Sequence, residues 1–311
     1  MVTDAQPLIV SVPSVQARAD LGPLPEGVEV VVWDMSEPAP YEHIDIVVIP
    51  YMSRGSIAAS LESVQTRLLQ GQSIGYEGVA EALPPGRVFA NAASVHETAT
   101  SELALALTLA AQRRLPQFIR DAESSRWAPE WSPGLADRRV LLLGFGGVGK
   151  AVAARLAPFE VDIVRVASRA RDEDGVHVHG VDELPNLLPD AQIVILTLPG
   201  GESTRHIIND AVLSALPDGA LVVNVGRGSL IDPDALLDHA RRGRIRAALD
   251  VTEPEPLPAG HPLWSTPGVL VVPHVGGLSA AMRPRISALV RRQIDRMLSG
   301  EAPLNVVIDG S

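Results

Sequence analysis

Four titratable or charged residues follow three apolar runs in the last third of this chain. Arg227 stands between Gly226 and Gly228 after Leu221–Val225. Glu253 and Glu255 follow Ala247–Asp250, and His274 follows Val269–Val272. A guanidinium, a carboxylate and an imidazole are what the reduction of a 2-keto acid requires. The cation holds the acid's carboxylate and polarises its carbonyl. The imidazole donates a proton to the developing alkoxide, and the carboxylate keeps that proton available near neutral pH. Glycines on both sides of Arg227 allow backbone and ligand to approach closely.

Such a reduction needs a hydride donor, and an earlier stretch is suited to bind one. Val140-Leu-Leu-Leu-Gly144-Phe-Gly146-Gly-Val-Gly149 runs from an apolar strand into G-x-G-x-x-G, and an Ala-rich segment that suits a helix follows. This is the dinucleotide fingerprint in its required context. Gly144 permits the turn, Gly146 lets backbone approach a pyrophosphate, and Gly149 lets the helix pack on the strand. The helix N-terminus offers N–H groups to the phosphates. A carboxylate about 20 residues further on would select NAD by binding its ribose 2′-hydroxyl. Here the strand Ile163–Ala167 ends instead in Ser168-Arg169-Ala-Arg171. A guanidinium suits a 2′-phosphate, so NADP(H) is expected over NAD(H), with NAD(H) still possible.

The elements that must position these groups alternate strand and helix. Strands are predicted at Leu8–Pro13, Val28–Trp33, Ile46–Pro50, Thr66–Gln70, Val88–Ala90, Ile163–Ala167, Ile193–Leu198, Leu221–Val225, Ala247–Asp250 and Val269–Val272, besides the fingerprint strand. Helices are predicted near Ile57–Leu61, over Thr98–Arg113 and over Ala281–Leu298, with a short tail from Leu304 to Ile308. The expected fold is α/β: two doubly wound parallel-sheet domains, Rossmann- or flavodoxin-like, with a cleft between them. Residues 1–98 would form the first part of a substrate-binding domain and 99–278 the cofactor domain. Residues 279–311 would return to complete the first.

Composition narrows the function classes. The 311 residues carry a net charge of −11, which argues against nucleic acid or an anionic membrane as partner. There are no cysteines, hence no disulfides or thiolate metal sites. No apolar run is long enough to cross a bilayer, and Met1–Val12 lacks the look of a signal peptide, so a cytoplasmic protein is expected. The Arg clusters at 241–246 and 291–292 read as solvated faces. His177 and His179 alternate on one strand-like face, with no ligand set nearby in sequence. No metal site is expected. His96-Glu97 reads as a helix start, and Trp127 and Trp131 as packing anchors or a dimer contact.

Taken together, Ser73-Ile-Gly75-Tyr, Thr98 to Ala104, the fingerprint, Asn224 to Asp232, Leu249 to Leu257 and Pro273-His274 resemble the D-isomer-specific 2-hydroxyacid dehydrogenases. The resemblance is to their glyoxylate/hydroxypyruvate reductase branch in particular. Arg227 to Glu255 is 28 residues and Glu255 to His274 is 19, in the family's order. The resemblance implies catalytic roles for Arg227, Glu255 and His274. Glu255 is preferred over Glu253 because the family's Glu directly precedes Pro-Leu. It implies cofactor contacts at Gly144, Gly146, Gly147, Val148, Gly149, Ser168, Arg169, Leu198, Pro199, Val225, Gly226, Asp250 and Gly276. Substrate contacts are implied at Ile74, Gly75, Arg227 and His274, and a pocket that includes Tyr51, Met52 and Tyr76 would set specificity. It also implies a homodimer acting on a small 2-keto or 2-hydroxy acid. Two features depart from the family: the glycine-bearing turn Pro199-Gly-Gly-Glu-Ser-Thr204, and Gly147 where a side chain is usual. Two alternatives stand. One is an NAD-dependent dehydrogenase of phosphoglycerate or formate type, and the other a nucleotide-binding scaffold like the C-terminal-binding-protein corepressors.

Overall fold

Aliphatic runs without polar alternation form strands buried on both faces. In the computed structural model, which describes residues 6–51 and 57–310, they make two sheets. In chain order the elements begin with β1 (Leu8–Val12), α1 (Val15–Asp20), β2 (Val28–Val32), β3 (His43–Val48), α2 (Ile57–Leu61), β4 (Gln65–Gln70), α3 (Val79–Ala82) and β5 (Val88–Ala90). Then come α4 (Glu97–Gln112), α5 (Leu115–Glu123), β6 (Arg139–Leu143), α6 (Gly147–Leu156), β7 (Asp162–Ala167), β8 (Arg171–Glu173), β9 (Val176–Gly180) and α7 (Leu184–Leu187). The chain ends with β10 (Ile193–Leu196), α8 (Asp210–Ala215), β11 (Ala220–Asn224), α9 (Pro233–Arg241), β12 (Ile245–Leu249), β13 (Val269–Val271), α10 (Met282–Leu298) and β14 (Val306–Asp309).

The chain divides into two compact units: Met1–His96 with Ser279–Ser311, and Glu97–Leu278. The first unit carries a six-stranded sheet in the order β14-β5-β4-β3-β1-β2. All its pairings are parallel except β14 on β5. This is a flavodoxin-like order, with its switch point between β1 and β3. The tail from Leu304 is thus an antiparallel edge strand, a pairing that short local pattern does not announce.

The second unit carries eight strands in the order β13-β12-β11-β10-β6-β7-β9-β8. The chain leaves β6 for β7 on one side and later returns to β10 on the other. The switch point therefore lies between β6 and β10, where doubly wound sheets bind their ligands. Side chains alternate across this sheet. Leu141, Leu143, Val194, Leu196 and Val222 enter the core on one face. Val140, Leu142, Ile193, Ile195 and Val223 enter the other, against α4 and α6 residues such as Leu107 and Val152. β8 and β9 form a hairpin that the helix-and-strand count missed, and only β8 runs antiparallel.

Three other expectations are corrected. The arginines at 241–246 are not all solvated. Arg244 binds Asp218 at 2.7 Å and the Leu216 carbonyl at 3.1 Å. Arg246 reaches Gln112 Oε1 at 2.5 Å and the Gly219 carbonyl at 3.0 Å. Arg291 likewise donates to the Leu21 carbonyl at 2.5 Å. Their planar forks satisfy carbonyls that loop ends leave unpaired. Trp127 and Trp131 are not packing anchors within the chain, being 96% and 98% exposed. Met52 lies outside the described residues. No helix among those described is long and apolar enough to cross a membrane.

Leu142 is fully buried on the central strand β6. Leu142→Ala should cost about 2–5 kcal/mol in chemical denaturation.

Candidate active site

The dinucleotide turn is held by backbone contact. Gly144, with φ of 108°, would place a Cβ 2.7 Å from Thr197 Oγ1 and 2.9 Å from Leu198 N. Only glycine is at ease there. A Cβ on Gly149 would lie 2.0 Å from the Gly144 carbonyl oxygen, so α6 starts as close to β6 as a helix can. Gly146 is the N-cap of α6, without a side-chain cap, and a Cβ there would meet nothing within 4 Å. The turn therefore fits a pyrophosphate: space lies before the helix N-terminus, where the N-cap residue has no side chain of its own to cap the first N–H groups. Gly147 is also explained. A Cβ there would begin 3.0 Å from Glu97 Oε1, so Glu97 takes the space a side chain would need. Val148 is half-buried behind the turn.

Ser168 and Arg169 are exposed just past β7. Arg171 is engaged: its Nη2 lies 2.8 Å from Glu173 Oε2 and 3.4 Å from the Phe145 carbonyl. Lys150 binds the other oxygen of Glu173. Among the described residues no ion pair or hydrogen bond holds the side chain of Arg169.

Arg227 leaves β11 in a loop that Asn224 closes. Asn224 Oδ1 accepts from Gly226 N at 3.0 Å, and its Nδ2 donates to the Arg227 carbonyl at 2.8 Å. Both flanking glycines are sterically required. A Cβ on Gly226 would lie 2.7 Å from the Leu198 carbonyl, and one on Gly228 would lie 2.0 Å from that of Thr252. Leu198 is half-buried, Pro199 exposed and Val225 buried at this edge. Thr204 closes its own turn by donating to the Pro199 carbonyl at 2.9 Å.

His274 has φ of 52°, a left-handed conformation that non-glycine residues seldom adopt. Its N–H donates to the Asp250 carbonyl at 2.8 Å. Asp250 is buried and accepts from Val275 N at 2.7 Å and Gly276 N at 3.0 Å. One residue at the end of β12 thereby fixes three consecutive residues beyond β13. Burial pushes the Asp250 carboxyl up, against the pull of those two N–H groups.

The imidazole Nδ1 of His274 lies 2.5 Å from Glu255 Oε1. That hydrogen bond raises the His274 pKa, ahead of the opposing effect of burial. For Glu255 burial pushes upward, but the bond and charge of His274 outweigh it and leave the carboxyl below its usual range. The other carboxylate of the loop is occupied elsewhere. Glu253 takes Arg205 Nη1 at 2.9 Å and His206 Nε2 at 3.1 Å. His206 also donates its backbone N–H to the Ser229 carbonyl at 2.8 Å. It therefore ties the Arg227 loop to the Glu255 loop. Sequence reasoning passed over Arg205 and His206, which carry no motif signal and gain their role only from this contact.

The first unit, taken by itself, holds Ile74 and Gly75 in a braced loop. The Ser73 carbonyl accepts from Ala92 N at 2.9 Å, and the Ile74 carbonyl from Asn91 Nδ2 at 2.8 Å. His96, rather than only starting a helix, sets Nε2 2.6 Å from the Gln72 carbonyl and stacks on Tyr51. Among the described residues, no hydrogen bond engages the N–H groups of Ile74 and Gly75.

Residues 105–276 match the family model for the D-isomer specific 2-hydroxyacid dehydrogenase NAD binding domain. A glyoxylate reductase of Aeropyrum pernix is 30% identical over 300 residues, 90% of this chain and 89% of its own. A D-isomer-specific 2-hydroxyacid dehydrogenase of Xanthobacter autotrophicus, solved with NADPH and MES, superposes with a TM-score of 0.82 at 28% identity. That match covers 99% of this chain and 100% of the other. An NADPH-dependent glyoxylate/hydroxypyruvate reductase of Sinorhizobium meliloti, solved with NADP and sulfate, gives 0.81 at 26% identity, with coverage of 99% and 100%.

The Glu255 contact makes a direct prediction about His274. Its imidazole should titrate above the usual value of about 6.5 when followed by NMR. Glu255→Gln should bring the midpoint down toward that value, because a neutral amide no longer favours the imidazolium.

Proposed function

Because the chain belongs to the D-isomer-specific 2-hydroxyacid dehydrogenase family, an NAD(P)-dependent one, we propose that it reduces a small 2-keto acid with NADPH. The substrate is of glyoxylate or hydroxypyruvate type and the product is the D-2-hydroxy acid. The observation that carries this reading is the pair His274–Glu255. With Nδ1–H donated to Glu255, Nε2 is the ring position left to exchange a proton with substrate.

Arg227 binds the substrate carboxylate and draws electron density toward the carbonyl oxygen. Ile74 and Gly75, substrate contacts by the family resemblance, offer N–H groups of the kind a carboxylate takes. A reduced nicotinamide, when bound, would supply the hydride that the carbonyl carbon takes. As the C=O π pair moves onto oxygen, His274 Nε2 delivers its proton there, giving the hydroxyl. Glu255 stabilises the imidazolium until transfer and orients the ring. His274 regains its proton from water before the next turnover, and in oxidation it acts as the base. Asp250, Gly276, Leu198, Pro199, Val225 and Gly226 would line the site of the nicotinamide, and Gly144 to Gly149 would hold the pyrophosphate.

Ser168 and the unengaged guanidinium of Arg169 favour the 2′-phosphate of NADPH. The two solved relatives carry NADPH and NADP. We also propose a homodimer. Leu115 and Ile119 stand exposed one turn apart on α5, and Trp127 and Trp131 follow. Exposed apolar side chains of this size mark an interface, and light scattering on the purified protein reads its mass.

The test is cofactor oxidation with NADPH or NADH over glyoxylate, hydroxypyruvate, pyruvate and longer 2-keto acids. Turnover that favours NADPH with the two-carbon and three-carbon acids supports the reading. NADH preference would overturn the cofactor assignment, and nucleotide binding without turnover of any acid would favour the scaffold alternative. Arg169→Ala should raise the KM for NADPH about tenfold, the worth of one charged contact of about 1.4 kcal/mol, with little change for NADH. His274→Asn should lower kcat by about 10²–10⁴.

A further inference from the structure

The hairpin beyond Arg169 gathers a set of donors that the active site does not use. His177 and His179 are alternate residues of β9 and so share one face. Their rings meet edge to face with centroids 4.6 Å apart. Glu183, from the turn that follows β9, joins them, and one ligand atom from each of the three lies within 4.8 Å of the others. The expectation that these histidines lack a ligand set is therefore corrected. The missing carboxylate arrives through the turn.

We propose that His177, His179 and Glu183 form a site for a borderline first-row divalent cation, Zn²⁺ being the reference ion. Three features argue for more than a chance cluster. First, Glu183 is preorganised: its Oε1 accepts from Gly180 N at 2.8 Å, which aims Oε2 at His179 Nδ1, also 2.8 Å away. That separation is close to the edge of about 2.9 Å between neighbouring ligands of a five- or six-coordinate ion with bonds of about 2.0–2.1 Å. Second, His177 has an outer partner. Its Nδ1 lies 2.8 Å from Asp172 Oδ1, across the β8–β9 pair, where Asp172 and His177 stand in register. A carboxylate on one ring nitrogen fixes the tautomer and makes the other nitrogen a better donor, the usual arrangement behind a metal-bound histidine. Third, the charge suits a dication. Two neutral imidazoles and one carboxylate match the ligand set of zinc and its neighbours, and leave positions for water. All three side chains are partly exposed, so the ion enters without unfolding.

The site would clip the segment from Asp172 to Glu183 onto itself. The same hairpin carries Arg171 and Glu173, which reach the dinucleotide turn through Phe145 and Lys150.

Calorimetric titration of the tag-free, chelator-treated full chain with ZnCl₂ tests the proposal. One saturable equivalent is expected. It should weaken at least tenfold in His177→Ala and in His179→Ala, and vanish in the double variant. Asp172→Asn should weaken it about 10–100-fold, the range seen when an outer partner is removed. Saturating zinc should raise the Tm of the native chain by about 2–4 °C and leave the double variant unmoved. Circular dichroism without metal should show the variants folded. Absence of saturable binding at about 1 mM zinc, or binding that survives in the folded double variant, would overturn the site. Neither result depends on turnover.

Discussion

Backbone pressed on backbone at the carboxyl edge of the eight-stranded sheet is the constraint that everything else in the active site rests on. Gly149 lies against the Gly144 carbonyl, Gly144 against Thr197 and Leu198, Gly226 against Leu198, and Gly228 against Thr252. These contacts run from β6 through β10 and β11 to β12, one strand to the next. Asp250 then carries the chain of contacts to β13 by accepting from Val275 and Gly276. A Cβ at any of the four glycines would collide with backbone, which cannot swing aside as a side chain can. The loops bearing the nucleotide turn, Arg227, Glu255 and His274 are therefore set by main-chain geometry rather than by the choice of rotamers.

On that frame, neighbouring carboxylates take different tasks because their surroundings differ. Glu255 meets an imidazole and hydrogen-bonds it. Glu253, two residues earlier, pairs with Arg205 and hydrogen-bonds His206, and so joins two loops. Asp250 is buried, bound by N–H groups, and acts on backbone. Burial pushes all three upward, and the partners decide how far each is pulled back.

The first unit shows the same logic with fewer parts. Its flavodoxin-like strand order puts the turns after β1 and β3 at a switch point. The Gln72–Gly75 loop beyond β4 is braced through its carbonyls by Ala92, Asn91 and His96. Bracing a loop by its acceptors leaves the N–H donors of Ile74 and Gly75 outside that bracing.

Much of this was legible in the residues alone. The fingerprint, the alternation of apolar runs with helices, and the order Arg227, Glu255, His274 are local signals, because strand and helix periods and the needs of a tight turn are written over a few residues. Pairings between distant segments are not written that way. The β8–β9 hairpin, the antiparallel return of β14, the carbonyls that take Arg244 and Arg246, and the exposure of Trp127 and Trp131 each depend on what the fold brings near. From the sequence, Glu255 was preferred over Glu253 only by its place before Pro-Leu, and His177 and His179 had no ligand set at recognised spacing. Tertiary structure gave Glu253 to Arg205 and His206, left Glu255 for His274, and folded Glu183 back onto His179. The chemistry available was fixed by residue type. Which groups share it was decided by distance, since a hydrogen bond reaches only about 3 Å and no spacing along a chain encodes that.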